Sequence, residues 1–368
     1  MIGGTLLLLG RYVAPQLCVM FKAIPVERKS RVIHDFPYSV ESRRCPHAGI
    51  VNITKSGHCV FDCAYCYAKS YPWSANGHFI EVYENTPELL DNELRTIRTC
   101  PPLYFCAVTD PFQPFDLVWK TSLDAMRIAA NHGVFFTIVT KSDLALKVLE
   151  TRWADYERFR VSFTCEALNR NKLSAISNAP DVFRRLRAIE RLVSAGVNVS
   201  VRVDPIISGL TDDYGELDEL FQTLSSMDVC HVTTSTGSFN SRAFRKLLAR
   251  IEEGGYAESA ALVRSRYVFN GKKYTLNLKD RLALYTYLAS LCDHYDMGLS
   301  LCQEPLNLIP GDATRCRTLG ELAIRDRSGR FIPVCGSDCL NACPNAEYPP
   351  CKNENLRTEY PFKWRTLR

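Results

Sequence analysis

The sequence predicts an α/β protein built on a partial (β/α)6 barrel of the TIM type, with a cysteine-rich C-terminal extension. Apolar runs alternate with amphipathic helical patterns from residue 48 to residue 233, which is typical of parallel βα units. A loop rich in cysteine follows the first apolar run, and the active site of a parallel barrel lies at the carboxyl ends of its strands. Five or six such units favour an open or closed barrel; a flat doubly wound sheet is the alternative.

The predicted strands and helices follow one another in a regular order. The strands are short apolar runs: Ala48–Lys55, Leu103–Val108, Val134–Thr140, Phe159–Thr164, Val197–Asp204 and Val229–Thr233. The helices have apolar residues at helical spacing: Thr86–Thr99, Leu117–His132, Asp143–Arg152, Asp181–Ala195 and Asp212–Ser226. Thr86 is predicted as the N-cap of the first helix because Pro87 follows it, and Gly196 is predicted to end the fourth.

Composition and charge place the chain among globular proteins and exclude a small disulfide scaffold. Of its 368 residues, 46% are hydrophobic and 23% charged, and a net charge of +5 permits contact with phosphates without being a nucleic-acid signature. Residues 1–20 are apolar, but they lack a basic start and Arg11 interrupts them, which disfavours a signal peptide or a membrane span. A start at Met20 is an alternative. We therefore expect a cytoplasmic protein that keeps its sixteen cysteines reduced for metal.

Three cysteines within eight residues are the strongest chemical signal in the chain. Cys59, Cys63 and Cys66 have the spacing C-x3-C-x2-C. Thiolates select zinc, Cu(I) or iron–sulfur clusters, and three ligands are one short of the usual four. The fourth position is either filled from elsewhere in the chain, as in a structural zinc site, or left open for a ligand that takes part in the chemistry.

This loop resembles the signature of the radical SAM superfamily, in which C-x3-C-x2-C follows the first strand of a partial TIM barrel. The match covers Cys59, Cys63 and Cys66 and the aromatic residue Tyr65 before the last of them. The resemblance implies a 4Fe–4S cluster whose fourth iron binds S-adenosylmethionine (SAM). It also implies a reductant such as flavodoxin or ferredoxin, and reductive cleavage of SAM to a 5′-deoxyadenosyl radical that abstracts a hydrogen from the substrate.

Later motifs are similar to those of the spore photoproduct lyase branch of this superfamily. Each falls at a predicted strand end or on the next helix: Cys63-Ala64-Tyr65-Cys66-Tyr67, Val108-Thr109-Asp110-Pro111-Phe112-Gln113-Pro114, Thr140-Lys141-Ser142, Ser162-Phe163-Thr164, Arg185-Leu186-Arg187-Ala188-Ile189 and Asp204-Pro205-Ile206-Ile207-Ser208-Gly209-Leu210-Thr211-Asp212. Together they span residues 45–235.

The resemblance implies roles for individual side chains, each with a structural alternative. The predicted cofactor-binding residues are Tyr65, Thr109, Asp110, Lys141, Ser162 and Arg185. Lys141 is expected to pair with the SAM carboxylate or a substrate anion, against the alternative of a solvated loop lysine. Thr109 and Asp110 could instead stabilise their own turn, and Arg185 could form a surface salt bridge. Tyr65, expected against adenine or the cluster, could be core.

Cys106 is the point at which the sequence departs from the lyase pattern. Tyr65, Tyr67 and Cys106 are the predicted catalytic residues. Spore photoproduct lyases carry a hydrogen-donating cysteine near the second-strand motif, but Cys106 stands apparently one position too early. Alternation along a strand would turn its side chain to the opposite face. Either a bulge restores the donor position, or Cys106 is a buried apolar residue.

The C-terminal cysteines predict a second site. We divide the chain into an N-terminal extension (1–44), the barrel core (45–235), a helical continuation (236–300) and a cysteine-rich region (301–368). The predicted ligands of an auxiliary iron–sulfur cluster are Cys335, Cys339, Cys343 and Cys351, which lie among glycine and proline in an irregular loop. Structural zinc and uncoordinated cysteines are the alternatives, and Cys302 and Cys316 compete for places in the ligand set.

The substrate is only broadly indicated. Arg242, Arg245, Lys246 and Arg250 form a basic helical stripe that could follow a phosphate backbone or be a solvated helix face. The lyase resemblance favours a thymine-type base or modified nucleotide in nucleic acid, which would be repaired, rearranged or modified. A radical SAM enzyme for a small metabolite or peptide is the first alternative. A zinc-bearing nucleic-acid-binding protein is an alternative of another class.

Overall fold

The structure is a computed structural model that describes residues 21–35, 49–71, 74, 79–97, 99–151, 153, 156–302, 304, 308–309, 323–326 and 328–333. The predicted C-terminal cysteine site, with Cys335, Cys339, Cys343 and Cys351, lies outside the described residues.

The described strands and helices alternate as the sequence predicts. The strands are β1 (Lys22–Val26), β2 (Ile33–Asp35), β3 (Gly49–Val51), β4 (Phe79–Tyr83), β5 (Thr99–Cys100), β6 (Leu103–Phe105), β7 (Phe136–Thr140), β8 (Phe159–Thr164), β9 (Asn198–Val203), β10 (His231–Thr234), β11 (Ser238–Phe239), β12 (Tyr267–Phe269), β13 (Tyr274–Leu276), β14 (Gly298–Leu301), β15 (Ala323–Arg325) and β16 (Phe331–Pro333). The helices are α1 (Thr86–Thr96), α2 (Asp116–His132), α3 (Arg170–Ile176), α4 (Val182–Ser194), α5 (Tyr214–Ser226), α6 (Ser241–Glu253), α7 (Ala257–Arg266) and α8 (Leu278–His294). None of these helices is both long and apolar enough to cross a membrane.

One twisted sheet organises the molecule, and it confirms the predicted partial barrel. Its strand order is β14-β10-β9-β8-β7-β6-β3-β2, with every pair parallel except the antiparallel pair of β2 and β3. Six of the parallel strands correspond to the six predicted ones. The seventh, β14, has only four residues and follows the long helix α8, so its short apolar run gave no clear signal in the sequence.

The structure differs from the sequence prediction at several element ends. The predicted strand Leu103–Val108 stops at Phe105, because Cys106 adopts a left-handed backbone with φ +59°. The predicted helix Asp143–Arg152 is a 3-10 helix over Asp143–Glu150. Thr86 is the first residue of α1 rather than its cap; the N-cap position belongs to Asn85.

Alternation along the central strands separates an apolar face from a polar one. In β9 the buried residues of the main core are Val199, Val201 and Val203. The opposite face carries Ser200 and Arg202, whose register partners on β8 are Ser162 and Thr164. TIM barrels usually fill their interior with branched apolar side chains. Polar side chains on the inner face of these strands therefore indicate a cavity for a polar ligand.

A second, smaller core lies beneath the cysteine loop. It is built from α6, α7 and the small antiparallel sheet β11-β13-β12, and its buried members include Phe239, Phe244, Tyr267 and Leu276. Ala64, between two of the loop cysteines, is buried in the same cluster. The loop thus rests on elements that follow the sixth parallel strand, which brings distant parts of the chain to one end of the barrel.

We expect the aromatic side chain of Phe136 to be a main contributor to stability. It is fully buried on β7, and its ring contacts those of Phe105, Trp153, Tyr156 and Phe159. Phe136→Ala should lower the free energy of unfolding by about 3–5 kcal/mol, because the cavity cannot collapse fully. The matched control is Phe269→Ala on the exposed hairpin, and urea unfolding midpoints make the comparison. Equal midpoints for the two variants would contradict this packing.

Candidate active site at the carboxyl ends of the strands

Gln113 fastens the cysteine loop to the end of the second parallel strand. Its side-chain oxygen accepts a hydrogen bond from the backbone N–H of Val60 at 2.9 Å, and its side-chain nitrogen donates to the carbonyl of His58 at 3.0 Å. Gln113 is fully buried, so both bonds lie away from water. The predicted second-strand motif therefore holds the loop that carries the cysteines.

The segment after α3 holds the other side of the loop through the backbone. The N–H of Ala64 donates to the carbonyl of Ile176 at 2.7 Å, and the N–H of Asn178 donates to the carbonyl of Phe61 at 2.7 Å. A loop without regular structure is fixed only where its backbone groups find such partners. These two bonds flank Cys63 in the chain.

Asp62 ties the cysteine loop to helix α6. It has a left-handed backbone with φ +42°, and its carboxylate accepts from Lys69 at 2.5 Å and Lys246 at 2.8 Å, with Arg250 at 3.6 Å. Partial burial opposes ionisation, but the hydrogen bonds from the two lysines outweigh it and lower the pKa of Asp62. Two cations of the predicted basic stripe, Lys246 and Arg250, thus bind the cysteine loop to α6.

Cys59, Cys63 and Cys66 lie together in this loop and are half-buried. Burial, followed by the negative charges of Asp110 and Cys63, raises the pKa of the Cys59 thiol well above its usual value, and burial likewise raises that of Cys66. The Cys63 sulfur lies 3.2 Å from the Ser177 hydroxyl. Among the described residues, no three His, Cys, Asp or Glu side chains are arranged as a metal site in this conformation.

The donor set nevertheless fits an iron–sulfur cluster. Three neighbouring, partly buried thiols are costly to ionise as they stand, and a bound metal would supply the positive charge that stabilises three thiolates. The positive charge of bound iron would thereby offset the burial and the neighbouring negative charges that raise the pKa of Cys59.

Glu166 is the centre of the site, and sequence reasoning missed it. It follows β8 by two residues and is buried. One carboxylate oxygen accepts from Lys141 Nζ and from the Tyr65 hydroxyl, and the other accepts from an Arg185 guanidinium nitrogen at 2.7 Å. Three of the predicted cofactor-binding residues therefore meet on one carboxylate, although they come from three different segments of the chain.

This network stays charged although it is buried. Burial alone would raise the pKa of Glu166, but Lys141 and Arg185 outweigh it and hold that pKa well below its usual value. Burial likewise opposes the Arg185 charge, yet Glu166 raises the pKa of this guanidinium. Arg185 also donates to the carbonyls of Pro180 and Thr164, both at 2.9 Å. The predicted alternative of a surface salt bridge for Arg185 is wrong, because its side chain is almost completely buried.

Lys141 and Tyr65 form the accessible side of the network. The ammonium of Lys141 lies 5.5 Å from the centroid of the Tyr65 ring, and its side chain is 15% exposed. A solvated loop lysine is thereby excluded. Burial and then the charge of Cys63 raise the pKa of the Tyr65 hydroxyl well above its usual value, so it stays a hydrogen-bond donor.

Two predicted hydroxyls are buried without a hydrogen-bond partner in the described structure. Ser162 lies on the polar face of β8, and Thr109 follows the end of β6. A buried hydroxyl without a partner costs free energy unless a ligand supplies the missing bond. Both positions lie at the carboxyl half of the barrel, where a polar ligand such as SAM would provide acceptors.

Asp110 makes structural contacts. Its carboxylate accepts from the backbone N–H groups of Phe112 at 2.9 Å and Lys141 at 2.8 Å, and from the Thr140 hydroxyl at 2.9 Å. Burial raises the pKa of Asp110 to about 6. These bonds tie the end of β6 to the end of β7 and favour the structural alternative; its role toward SAM stays a prediction.

Cys106 and Tyr67 both lie next to the end of β6, the second parallel strand. The left-handed conformation of Cys106 ends the alternation of β6, and its side chain is buried in the main core. Burial raises the pKa of its thiol to about 12, so it carries its proton. Tyr67 is 43% exposed and donates from its hydroxyl to the carbonyl of Ala107 at 2.6 Å.

The ion-pair network predicts a specific pH dependence of stability. The lowered pKa of Glu166 means that its contribution is fully present above the unfolded value of about 4.3 and fades as the pH falls below it. Glu166→Gln should cost about 3–5 kcal/mol at pH 7, since two buried cations lose their partner. It should also flatten the change in the urea midpoint between pH 5 and pH 3. Glu190→Gln, at an exposed position of α4, is the control; wild-type pH dependence in Glu166→Gln would contradict the network.

Solved structures share the fold. A cysteine-to-serine variant of spore photoproduct lyase has a TM-score of 0.58 at 17% identity, covering 76% of this chain and 81% of that chain. Spore photoproduct lyase complexed with dinucleoside spore photoproduct has a TM-score of 0.53 at 16% identity, and a variant with bound AdoMet and the same dinucleoside has 0.54; both cover 76% of this chain and 81% of that chain. The expected likeness to these lyases is confirmed for the fold.

Sequence comparisons point to the same superfamily. The radical SAM Nalpha-GlyT isomerase of Pseudomonas phage M6 is 23% identical over 251 residues, which are 67% of this chain and 48% of the isomerase. The chain thus spans about half the length of that relative. The family model described as Radical SAM superfamily matches residues 53–256, a stretch that contains the cysteine loop and the Glu166 network. A zinc-bearing binding protein without radical chemistry does not fit this match. The chain belongs to the radical SAM superfamily of enzymes.

Proposed function

We propose that this radical SAM enzyme acts on a thymine-type base or a modified nucleotide in nucleic acid. The convergence of Lys141, Arg185 and Tyr65 on Glu166 beside the cysteine loop carries the SAM chemistry of this proposal. The nucleobase is supported by the names of the relatives: a Nalpha-GlyT isomerase, and lyases complexed with a dinucleoside photoproduct.

The described residues divide the work of holding the cofactors. Cys59, Cys63 and Cys66 would ligate the 4Fe–4S cluster that the superfamily implies. When bound, cluster and SAM supply reductive cleavage that leads to hydrogen abstraction from the substrate. A flavodoxin or ferredoxin as electron donor, and a reducing cytoplasm as location, fit this chemistry.

The remaining residues bind and orient SAM. The Lys141 ammonium is suited to the SAM carboxylate, since it is the accessible cation of the network. Glu166 and Arg185 fix its position, and the hydroxyls of Ser162 and Thr109 can donate to the ligand. Because these groups are held before the ligand arrives, binding costs little reorganisation.

Cys106 is proposed as the donor that returns a hydrogen atom to the product. A donor must carry its hydrogen, and the buried thiol does so because its pKa is raised to about 12. The left-handed turn at Cys106 ends the alternation of β6, and the thiol is buried in the main core in the described structure. Packing as a buried apolar residue is the alternative.

Iron binding tests the cluster assignment. Cys63→Ala should remove the iron bound by the cysteine loop and weaken the brown colour of anaerobically purified protein, because two thiolates do not hold a cubane cluster. Cys230→Ala, at an exposed cysteine outside the loop, should keep both. A zinc-loaded, colourless wild type would contradict the assignment.

The auxiliary cluster is a separate proposal with its own test. We assign it to Cys335, Cys339, Cys343 and Cys351. Cys335→Ala should lower the iron content while the loop cluster still supports dithionite-driven formation of 5′-deoxyadenosine. Unchanged iron content in Cys335→Ala would contradict a second cluster.

The substrate proposal is tested by isotope transfer. Reaction with dithionite, SAM and a DNA strand deuterated at its thymine methyl groups should place deuterium in 5′-deoxyadenosine. The same strand with deuterated deoxyribose C5′ positions is the control. The contradicting result is 5′-deoxyadenosine that forms but contains no deuterium from thymine or from any modified thymine. That result would favour a small metabolite or peptide as substrate.

A further inference from the structure

A second charged pair lies at the barrel mouth, outside the residues that we assign to SAM. Arg202, near the end of β9, donates from a terminal guanidinium nitrogen to one carboxylate oxygen of Asp204. Their side chains are 12% and 16% exposed, so both are largely enclosed yet still reachable. Arg202 lies on the same face of the sheet as Ser200 and the register partner Ser162.

This pair is a direct neighbour of the Glu166 network. Arg202 is the register partner of Thr164, two residues before Glu166, and its carbonyl accepts from the N–H of Cys165 at 2.9 Å. Neighbouring strands are about 4.8 Å apart. A substrate held at this pair would therefore lie next to the ligand that Lys141 holds, as hydrogen abstraction requires.

The carboxylate of Asp204 is held by side chains from β9 and from the segment just beyond β10. Its second carboxylate oxygen accepts from the Ser235 hydroxyl, just beyond β10, and that hydroxyl accepts from the N–H of Gly237 at 3.3 Å. Asp212 and Asp213, further along the same loop, accept from backbone N–H groups and stabilise turns. Among the described residues, Asp204 is bound by the side chains of Arg202 and Ser235, and its carboxylate accepts no turn or helix-cap hydrogen bond.

The pair is complementary to an amide or imide edge. Each carboxylate oxygen accepts more than one hydrogen bond, so Asp204 keeps acceptor capacity beside its two partners. A guanidinium offers donors only. Arg202, beside the carboxylate of Asp204, is therefore suited to the carbonyl oxygen that adjoins the imide N–H of a ligand. Thymine presents this pattern, with N3–H between two carbonyl groups.

We propose that Asp204 accepts the N3–H of a thymine-type base and that Arg202 positions Asp204 and contacts the adjacent carbonyl of the base. This inference rests on the proposed nucleobase substrate and names the residues that recognise it. A purely structural role of the ion pair predicts no effect of Asp204 substitutions on the discrimination between bases.

Binding to two oligonucleotides tests the proposal. The reconstituted holoenzyme with SAM and without reductant is titrated with a short single strand containing one thymine, and with the same strand containing N3-methylthymine. Wild type should prefer the unmethylated base by about tenfold or more, since methylation removes the hydrogen bond and places a methyl group against the carboxylate. Asp204→Ala should bind both strands equally. Asp204→Asn, which keeps the shape but not the charge, should retain only part of the preference.

Controls separate recognition from folding and from the proposed function. Asp212→Asn changes a carboxylate of the same loop that is bound to Ser208 and Arg266, and it should discriminate as wild type does. SAM affinity should be unchanged in every variant. Equal discrimination in wild type and Asp204→Ala overturns the assignment of Asp204 while a nucleobase substrate stands. Failure of wild type to bind any thymine or modified-thymine strand overturns the proposed substrate and this inference together.

Discussion

The buried carboxylate of Glu166, shared by Lys141 and Arg185, is the interaction on which the site depends. An unpaired carboxylate or guanidinium would be very costly at this depth, so the network is stable only when all members are present. Lys141 follows β7, whereas Glu166 and Arg185 belong to the unit that begins with β8, so their meeting requires the correct register of these two parallel strands. The charged site therefore forms only when the sheet has this register.

Much of this architecture could be predicted from the sequence. The period of the apolar runs predicted six parallel strands. The loop containing Cys59, Cys63 and Cys66 follows the first strand and predicted that the site lies at the carboxyl ends of the strands. Lys141 and Arg185 could be named because each follows or lies near a strand end in a recognisable motif. Such local patterns are visible one segment at a time.

Other features could not be predicted, because they depend on contacts across segments. Glu166 has no distinguishing neighbours in the sequence, and its importance comes from two cations 25 residues before it and 19 residues after it. The end of β6 at Phe105 depends on the positive φ of Cys106, a residue type that gives no warning of a left-handed turn. The structural task of Lys246 depends on Asp62, 184 residues away.

The ion pairs of Asp62 have a geometric consequence. Within the described residues the sheet ends at β2 on one side and β14 on the other, so hydrogen bonds do not close the barrel into a ring. Instead, the carboxylate of Asp62 links the loop after the first parallel strand to α6, the helix beyond the sixth. The mouth is thus spanned by side-chain charges, and within the described residues no backbone hydrogen bonds join the two outer strands of the sheet. Ionisation of this one carboxylate therefore couples the position of the cysteine loop to that of α6.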